Sequence, residues 1–286
     1  MKNYKEIFNP RKITISGKSN ILTTKEDKYV VKEKNKDLKS LFEYLNSRNF
    51  NKYPKIIDEY DNKYVYEYVK DVNMPINQKI VEEAKTLAEL HYKTSYFKNI
   101  KIDDIKKIYE DIKSNILYIE DYYDRLFDKA LAEEYIRPSL YVLLINSSLI
   151  RSNISYLKRE LEKWYKLVST EDKIRVVYNH NNLSIDHFIN NKFISWDNYI
   201  VDSPVVDLIN LYKNDYNKYD YSIFLKEYLK GYELLDYEKS LLFIMISIPQ
   251  IIEFTNNEMD NTIKASKRVD YIVKTNEILR PYYMVK

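Results

Sequence analysis

The segment His180-Asn181-Asn182-Leu183-Ser184-Ile185-Asp186-His187-Phe188-Ile189, continued through Asn190-Asn191-Lys192 into Phe193-Ile194-Ser195-Trp196-Asp197, decides how this chain is read. Two apolar pairs, Phe188-Ile189 and Phe193-Ile194, flank an asparagine-rich turn, the pattern of a small hairpin. Just upstream, Val176-Val177-Tyr178 is β-branched and aromatic and reads as a strand. Residues 174–197 therefore form a short β-rich island, with a polar loop at 180–187 between its strands. Downstream comes Asp202-Ser203-Pro204-Val205-Val206-Asp207-Leu208.

Moving outward, the first 70 residues read as strands with one helix. Ile13-Thr14-Ile15 alternates, Ser16-Gly17-Lys18-Ser19-Asn20 has turn chemistry, and Ile21-Leu22-Thr23-Thr24 follows as a second strand. Lys28-Tyr29-Val30-Val31-Lys32 is a third. Leu38, Leu41, Phe42 and Leu45 recur at helical spacing. Lys55 to Tyr60 and Tyr64 to Val69 form a hairpin around Asp61-Asn62-Lys63. From Pro75 onward the pattern is helical, with Ile80, Ala84, Leu87, Ala88 and His91 on one face. Further helices are expected over 102–127, 138–150, 153–169 and 221–285. Strands first, then a crossing near residue 70, then helices around a β island, define an α+β chain.

Composition narrows the function classes. The 286 residues carry 46 Lys and Arg against 43 Asp and Glu, a net charge of +3, which gives no electrostatic reason to expect a nucleic-acid partner. The chain has no cysteine, so it forms no disulfide and no thiolate metal site. Met1 to Lys12 is polar and lacks the apolar segment of a secretory signal. The greasiest run, Leu241 to Ile252, is interrupted by Ser247 and Pro249 and falls short of the ~20 apolar residues a membrane span needs. It reads as a buried helix, and the expected compartment is the cytoplasm. Two glycines beside 30 tyrosines suggest a low-GC bacterial genome and rule out a glycine-rich phosphate loop. Gly17-Lys18-Ser19 is not a Walker A motif, because position 12, where that motif needs a glycine, is lysine. The tyrosines spread over every segment and read as packing residues.

The quoted segments resemble the aminoglycoside phosphotransferase and choline kinase family, which also includes spore-coat kinase-like proteins. The loop at 180–189 is similar to that family's His-Gly-Asp loop, with Leu, four variable residues, Asn and two apolar residues. Ile194-Ser195-Trp196-Asp197 and Asp202-Ser203-Pro204-Val205-Val206-Asp207-Leu208 resemble its Ile-Asp-Trp-Glu and Gly-Asp-Pro-x-x-Asp-Leu segments without a gap. Leu87-Ala88-Glu89-Leu90-His91 looks like its helical leucine, alanine and histidine signature. The resemblance covers roughly residues 12 to 210. It implies a protein-kinase-like two-lobed fold, with a small β-rich N-lobe over 1–70 and a large helical C-lobe over 71–286. It also implies ATP and magnesium as cofactors.

Carried over position by position, the resemblance removes the chemistry and keeps the framework. The family's catalytic Asp falls on Asn182, whose amide accepts no proton at neutral pH. Its magnesium-binding Asn falls on His187, a softer ligand than magnesium prefers. Its principal metal-binding Asp falls on Ser195. By contrast His180, Leu183, Trp196, Pro204, Asp207 and Leu208 match, with Asp207 expected to anchor the loop from a helix start. Lys32 resembles the strand lysine that grips ATP phosphates, but its usual glutamate partner aligns near Leu38, with Asp37 beside it. Glu43 lies about 140° around the helix from Leu38.

Two readings follow. The first is a pseudokinase that binds a small polar ligand in a cleft or a protein partner through its helices; the three substitutions weaken the case for both ATP and magnesium. The second is an active phosphotransferase on a small-molecule hydroxyl. It would use Asp197, two residues from Ser195 and on the same face of an extended strand, together with Asp186, as substitute magnesium ligands. His180 and His187 as a transition-metal pair are a third, weaker option, because two histidines in a loop are too few. Neither reading involves nucleic acid or a membrane span.

Overall fold

The computed structural model describes residues 7–60 and 62–283. It divides into two compact units. One comprises the residues through Ser95, Val177–Val201 and Ile223–Tyr232; the other comprises Tyr96–Val176, Asp202–Ser222 and Glu233 onward.

The first unit begins with an antiparallel sheet. Its strands are β1 (Lys12–Ser16), β2 (Ser19–Thr23), β3 (Lys28–Glu33), β4 (Ile56–Tyr60) and β5 (Lys63–Glu67), in the spatial order β1-β2-β3-β5-β4. Alternation sorts the side chains of the three inner strands onto two faces. Leu22, Val31 and Val65 lie on one face, at most 1% exposed, with Phe8, Tyr29 and Tyr60 against them. Ile21, Val30 and Tyr66 stand in register with one another on the other face, and Lys32 follows Val30 there at the period of two. Gly17 turns β1 into β2 with φ +55°, a conformation that Gly adopts at little cost. The expected strands are thus present, as is the 55–69 hairpin; of its turn, Asp61 lies outside the described residues.

Helix α1 (Leu38–Ser47) buries the four residues whose spacing announced it, Leu38, Leu41, Phe42 and Leu45. Asp37 caps it: its carboxylate accepts from the Ser40 N–H at 3.2 Å and the Ser40 hydroxyl at 2.6 Å, and these bonds hold its pKa below the ordinary carboxylate value. Helix α2 (Ile76–Thr94) buries Ile80, Ala84, Leu87, Ala88 and His91. His91 is a packing residue. Its Nδ1 lies 2.7 Å from the Tyr228 hydroxyl, and its ring meets the edges of Tyr228 and Tyr232.

The second unit is mostly helical. In chain order it contains β6 (Tyr96–Asn99), α3 (Ile102–Ala132), α4 (Pro138–Ile145), α5 (Ser147–Val168), the start of β7 (Lys173–Asn179), α6 (Val205–Asp215), α8 (Asp236–Ser247) and α9 (Glu258–Tyr283); α7 (Tyr221–Gly231) begins here and ends in the first unit. The core of α3 repeats at helical spacing, Ile105, Tyr109, Ile112, Ile116, Ile119, Tyr123 and Phe127, and packs with Ile150, Ile154, Leu157, Leu161 and Trp164 of α5.

Several boundaries differ from the sequence expectation. The break expected near 151–152 falls at Asn146, whose side chain donates to the Val142 carbonyl and closes the preceding turn. Residues 221–283 form three helices, Tyr221–Gly231, Asp236–Ser247 and Glu258–Tyr283. The run from Leu241 is buried as expected, but its helix ends at Ser247, two residues before Pro249, in keeping with the restriction proline places on the residue before it. Among the described residues, no helix is long and apolar enough to cross a membrane.

Candidate functional site

The face of the sheet that carries Ile21, Val30 and Tyr66 forms one wall of a cavity of about 270 Å³. Leu38 and Phe42 of α1 add to it, Ser16 and Ser19 come from the β1–β2 turn, and Tyr68, Val69 and Asp71 come from the segment after β5. The opposite side is the β island: Ile189 of β8 (Phe188–Ile189), then Ile194, Ser195, Trp196 and Asp197 beyond β9 (Lys192–Phe193). All these residues belong to the first unit. Aliphatic and aromatic groups dominate, and the volume is close to the lower end for small-molecule sites.

One polar cluster stands in this apolar surround. Lys32 Nζ donates to Ser195 Oγ at 2.9 Å and to Asp197 Oδ2 at 3.1 Å. The lysine and aspartate side chains are 19% and 25% exposed, so the pair is only partly solvated. The glutamate position aligned near Leu38 is apolar and lines the cavity, Asp37 is occupied as a helix cap, and Glu43 is exposed. The β3 lysine therefore takes its anionic partner from the β island. Tyr66 stands close by: burial first, and the negative charge of Asp197 second, push its phenol pKa far up.

The backbone at Ser195 explains how this pairing arises. Its φ is +67° and its ψ +53°, a left-handed conformation, and a 3-10 turn over Trp196–Asn198 follows. The expectation that Ser195 and Asp197 share a face of an extended strand is thus incorrect; a left-handed residue followed by a tight turn brings both to Lys32. Among the described residues, seven non-glycine positions have positive φ; six are asparagines and Ser195 is the seventh. Asparagine and aspartate tolerate this region better than other side chains. In a chain with two glycines, asparagine has taken over glycine's work at turns.

The loop below is held by aromatic packing. The His180 ring meets Trp196 at 4.8 Å between centroids and Phe193 at 5.6 Å, and its Nε2 donates to the Ile194 carbonyl at 2.8 Å. The Trp196 indole donates to the Phe193 carbonyl at 2.7 Å. Asn182 donates to the Ser195 carbonyl at 3.3 Å, and His187 Nδ1 donates to the Asn182 carbonyl at 2.7 Å, so one nitrogen of His187 is committed to the loop itself. Asp186 is exposed on the 3-10 turn Ile185–His187, and its own N–H donates to the Ser184 hydroxyl at 3.4 Å. Asp207 is fully buried in the first turn of α6, where a carboxylate complements the helix dipole. Glu67, on the cavity wall, is ion-paired with Lys192 and accepts from the Lys55 N–H at 3.1 Å. Burial raises its pKa, but these partners outweigh burial and hold it below the ordinary value.

As a magnesium site this donor set fits poorly. Magnesium prefers several hard oxygen ligands in octahedral array. Ser195 offers a neutral hydroxyl, Asp197 is already bound to an ammonium, and His187 offers a nitrogen. Among the described residues, no group of three or more His, Asp or Glu is arranged to hold a metal ion.

The arrangement of sheet, helix, loop and β island can be compared with solved structures. An aminoglycoside phosphotransferase from Alicyclobacillus acidocaldarius superimposes with a TM-score of 0.69 over 96% of this chain and 93% of that one, at 9% sequence identity. The chain has the aminoglycoside phosphotransferase fold. The AMP-bound spectinomycin phosphotransferase APH(9)-Ia shares that fold more loosely, with a TM-score of 0.51, 11% identity, and coverage of 97% of this chain and 91% of that one. The choline kinase LicA from Streptococcus pneumoniae covers 93% of this chain at 16% identity, but its TM-score of 0.47 adds nothing to the assignment. No protein-family model matches the chain, and no curated protein matches it in sequence.

Sequence reasoning missed Tyr66 and the segment 68–71 as cavity residues. The signal available for Tyr66 was its place opposite Val30 on the neighbouring strand, which becomes visible only once the register is known.

Proposed function

We propose that this chain is a pseudokinase of the aminoglycoside phosphotransferase fold, whose cavity binds a nucleoside or nucleotide without transferring phosphate. The observation that carries the proposal is the pairing of Lys32 with Ser195 and Asp197. The lysine expected to grip phosphates and the acid expected to replace the missing metal ligand neutralise each other. The walls support a flat heterocycle, with Ile21, Val30 and Tyr66 on one side and Ile189 and Ile194 on the other. The AMP held by spectinomycin phosphotransferase is consistent with this ligand class.

Phosphoryl transfer depends on positioning and on charge neutralisation by metal ions. An amide at position 182 removes a general base, a loss of ~10²–10⁴ in rate, or roughly 3–5 kcal/mol of barrier. Weak magnesium binding removes a further stabilising charge. The rival reading, an active phosphotransferase using Asp197 and Asp186, requires Asp197 to exchange Lys32 for magnesium and Lys32 to turn to the phosphates.

Phosphorus NMR on the purified chain with ATP, magnesium and a panel of amino sugars, sugars and amino alcohols tests the proposal. ATP is expected to remain intact, while adenosine raises the melting temperature by binding the folded state. Formation of ADP, abolished by Asp197→Asn, would establish the rival reading instead.

A further inference from the structure

The five-stranded sheet of the first unit has two edges, β1 and β4, and they are guarded unequally. An edge strand presents unpaired N–H and C=O groups and is open to pairing unless charges, proline or a bulge blunt it. β4 has such devices: its register shifts between Ile56 and Asp58, and it carries Asp58 and Glu59, the latter held by Lys34 and Lys39. β1 has none at its centre. Its register with β2 is unbroken from Lys12 to Ser16, and Ile13-Thr14-Ile15 is uncharged. The whole strand is exposed, Ile13 by 40% and Ile15 by 77%. Among the described residues, no strand pairs with its outer side.

Ladder alternation fixes what that outer side offers. Ser16 and Ser19 close the two-residue turn Gly17-Lys18, so the peptide groups of Ser16 and Thr14 face β2, and those of Ile13 and Ile15 point outward. Ile13 stands opposite Leu22, which places both isoleucine side chains on the sheet face away from the cavity. Charge then decides which strand fits. From Asn9 to Lys25 the chain carries Arg11, Lys12, Lys18 and Lys25 and no acid. All four are exposed, and none forms an ion pair among the described residues. A second copy of β1, paired antiparallel about Thr14, would bring Arg11 and Lys12 toward the other copy's Lys18. The β4 edge of a second copy is bulged, and its Glu59 already has two lysines.

We propose that β1 binds an extended acidic segment of a partner protein as an added antiparallel strand. Its β-branched residues lie beside Ile13 and Ile15, its peptide groups exchange hydrogen bonds with theirs, and its carboxylates meet Arg11, Lys12 and Lys18. The proposal does not depend on what the cavity binds or on whether phosphate is transferred.

The probe is a fluorescein-labelled peptide with blocked ends, Asp-Thr-Val-Thr-Val-Glu-Asp, followed by anisotropy and by amide hydrogen exchange of the full chain. Binding is expected to weaken as salt rises. It is expected to protect the amides of Ile13 and Ile15, while that of Thr14, already in the ladder with β2, changes little. The same peptide with its three acids replaced by lysine is expected to bind about tenfold more weakly or worse, and the double variant Lys12→Glu, Lys18→Glu reverses that preference. Ile15→Pro removes one outward N–H at an edge that tolerates proline and is expected to weaken binding roughly fivefold, the worth of one net hydrogen bond. If that variant loses its cooperative melt, the peptide N-methylated at both valines makes the same test on the unaltered chain. No saturable binding up to about 1 mM, equal affinity for the acidic and basic peptides, or binding without protection at Ile13 and Ile15 overturns the proposal. So does sedimentation of the free chain as a dimer that Ile15→Pro dissociates, which assigns the edge to a second copy. Binding to phosphatidylserine vesicles without binding to the peptide overturns it in favour of a membrane surface.

Discussion

The aromatic cluster of His180, Phe193 and Trp196 and the polar cluster of Lys32, Ser195 and Asp197 interleave along residues 193–197, with Lys32 joining from β3, and they differ in almost every physical respect. The first is at most 2% exposed, packed ring against ring and hydrogen-bonded to its own backbone. The second is partly solvated, held by one ammonium, and contains a serine in a backbone conformation that suits aspartate or asparagine better. His180 and Trp196 stand where the resemblance places framework residues, and Ser195 stands where it places a metal-binding aspartate. The difference teaches that the fold rests on the aromatic support and not on the charges above it. On the proposed reading, phosphate-transfer groups are replaced while the framework and the cavity beside the sheet remain.

The comparison predicts unequal responses to substitution. Trp196→Ala should have the largest effect, a loss of about 3–5 kcal/mol for a large aromatic removed from a closed core, read by urea denaturation. Effects on the polar cluster should appear in ligand binding instead. Ser195→Asp returns a carboxylate to a backbone that accommodates it, and is expected to make ATP binding magnesium-dependent by about tenfold or more, ~1.4 kcal/mol, measured by calorimetry. If Ser195→Asp unfolds the chain while Trp196→Ala does not, the assignment of the two clusters is reversed.

Lys192→Met should cost less, about 1 kcal/mol or below at neutral pH, because its pair with Glu67 is partly exposed and screened. The sign of the pH dependence follows from the depressed pKa of Glu67 in the fold. The stabilisation is present above the unfolded-state pKa and disappears as pH falls through the folded-state value. Wild type and Lys192→Met should therefore differ in denaturant midpoint at pH 7 and converge in acid, below the ordinary glutamate range. Ser195→Asn should have the smallest effect, a gain of a few tenths of a kcal/mol, roughly up to 0.5, from relief of left-handed strain. A measured loss would show that the Ser195 hydroxyl bond to Lys32 outweighs the backbone term.

Much of this architecture was legible in the sequence for identifiable reasons. β-branched alternation marked the strands of the first unit, and Leu38, Leu41, Phe42 and Leu45 marked α1 through their period. The loop from His180 to Asp197 carried enough fixed spacing to point to the family whose fold the structure shows. Strand β6, Tyr-Phe-Lys-Asn, was not legible: it is short, fully exposed, and formed only through pairing with the start of β7. The partner of Lys32 was not legible either. The family resemblance implies a partner for Lys32 on the next helix, and nothing in the sequence signalled the positive φ at Ser195 that turns Asp197 toward it. Its trace is the general shift from glycine to asparagine at left-handed positions, which becomes informative only once φ is known.

The central claim is that the cavity binds its ligand without a magnesium-bridged phosphate. Calorimetric titration of the wild-type chain with ATP, in magnesium and again in excess chelator, tests it most directly. The account predicts dissociation constants within about threefold of each other, a difference below ~1 kcal/mol. Tightening of more than about tenfold on adding magnesium, abolished by Asp197→Asn, would contradict it.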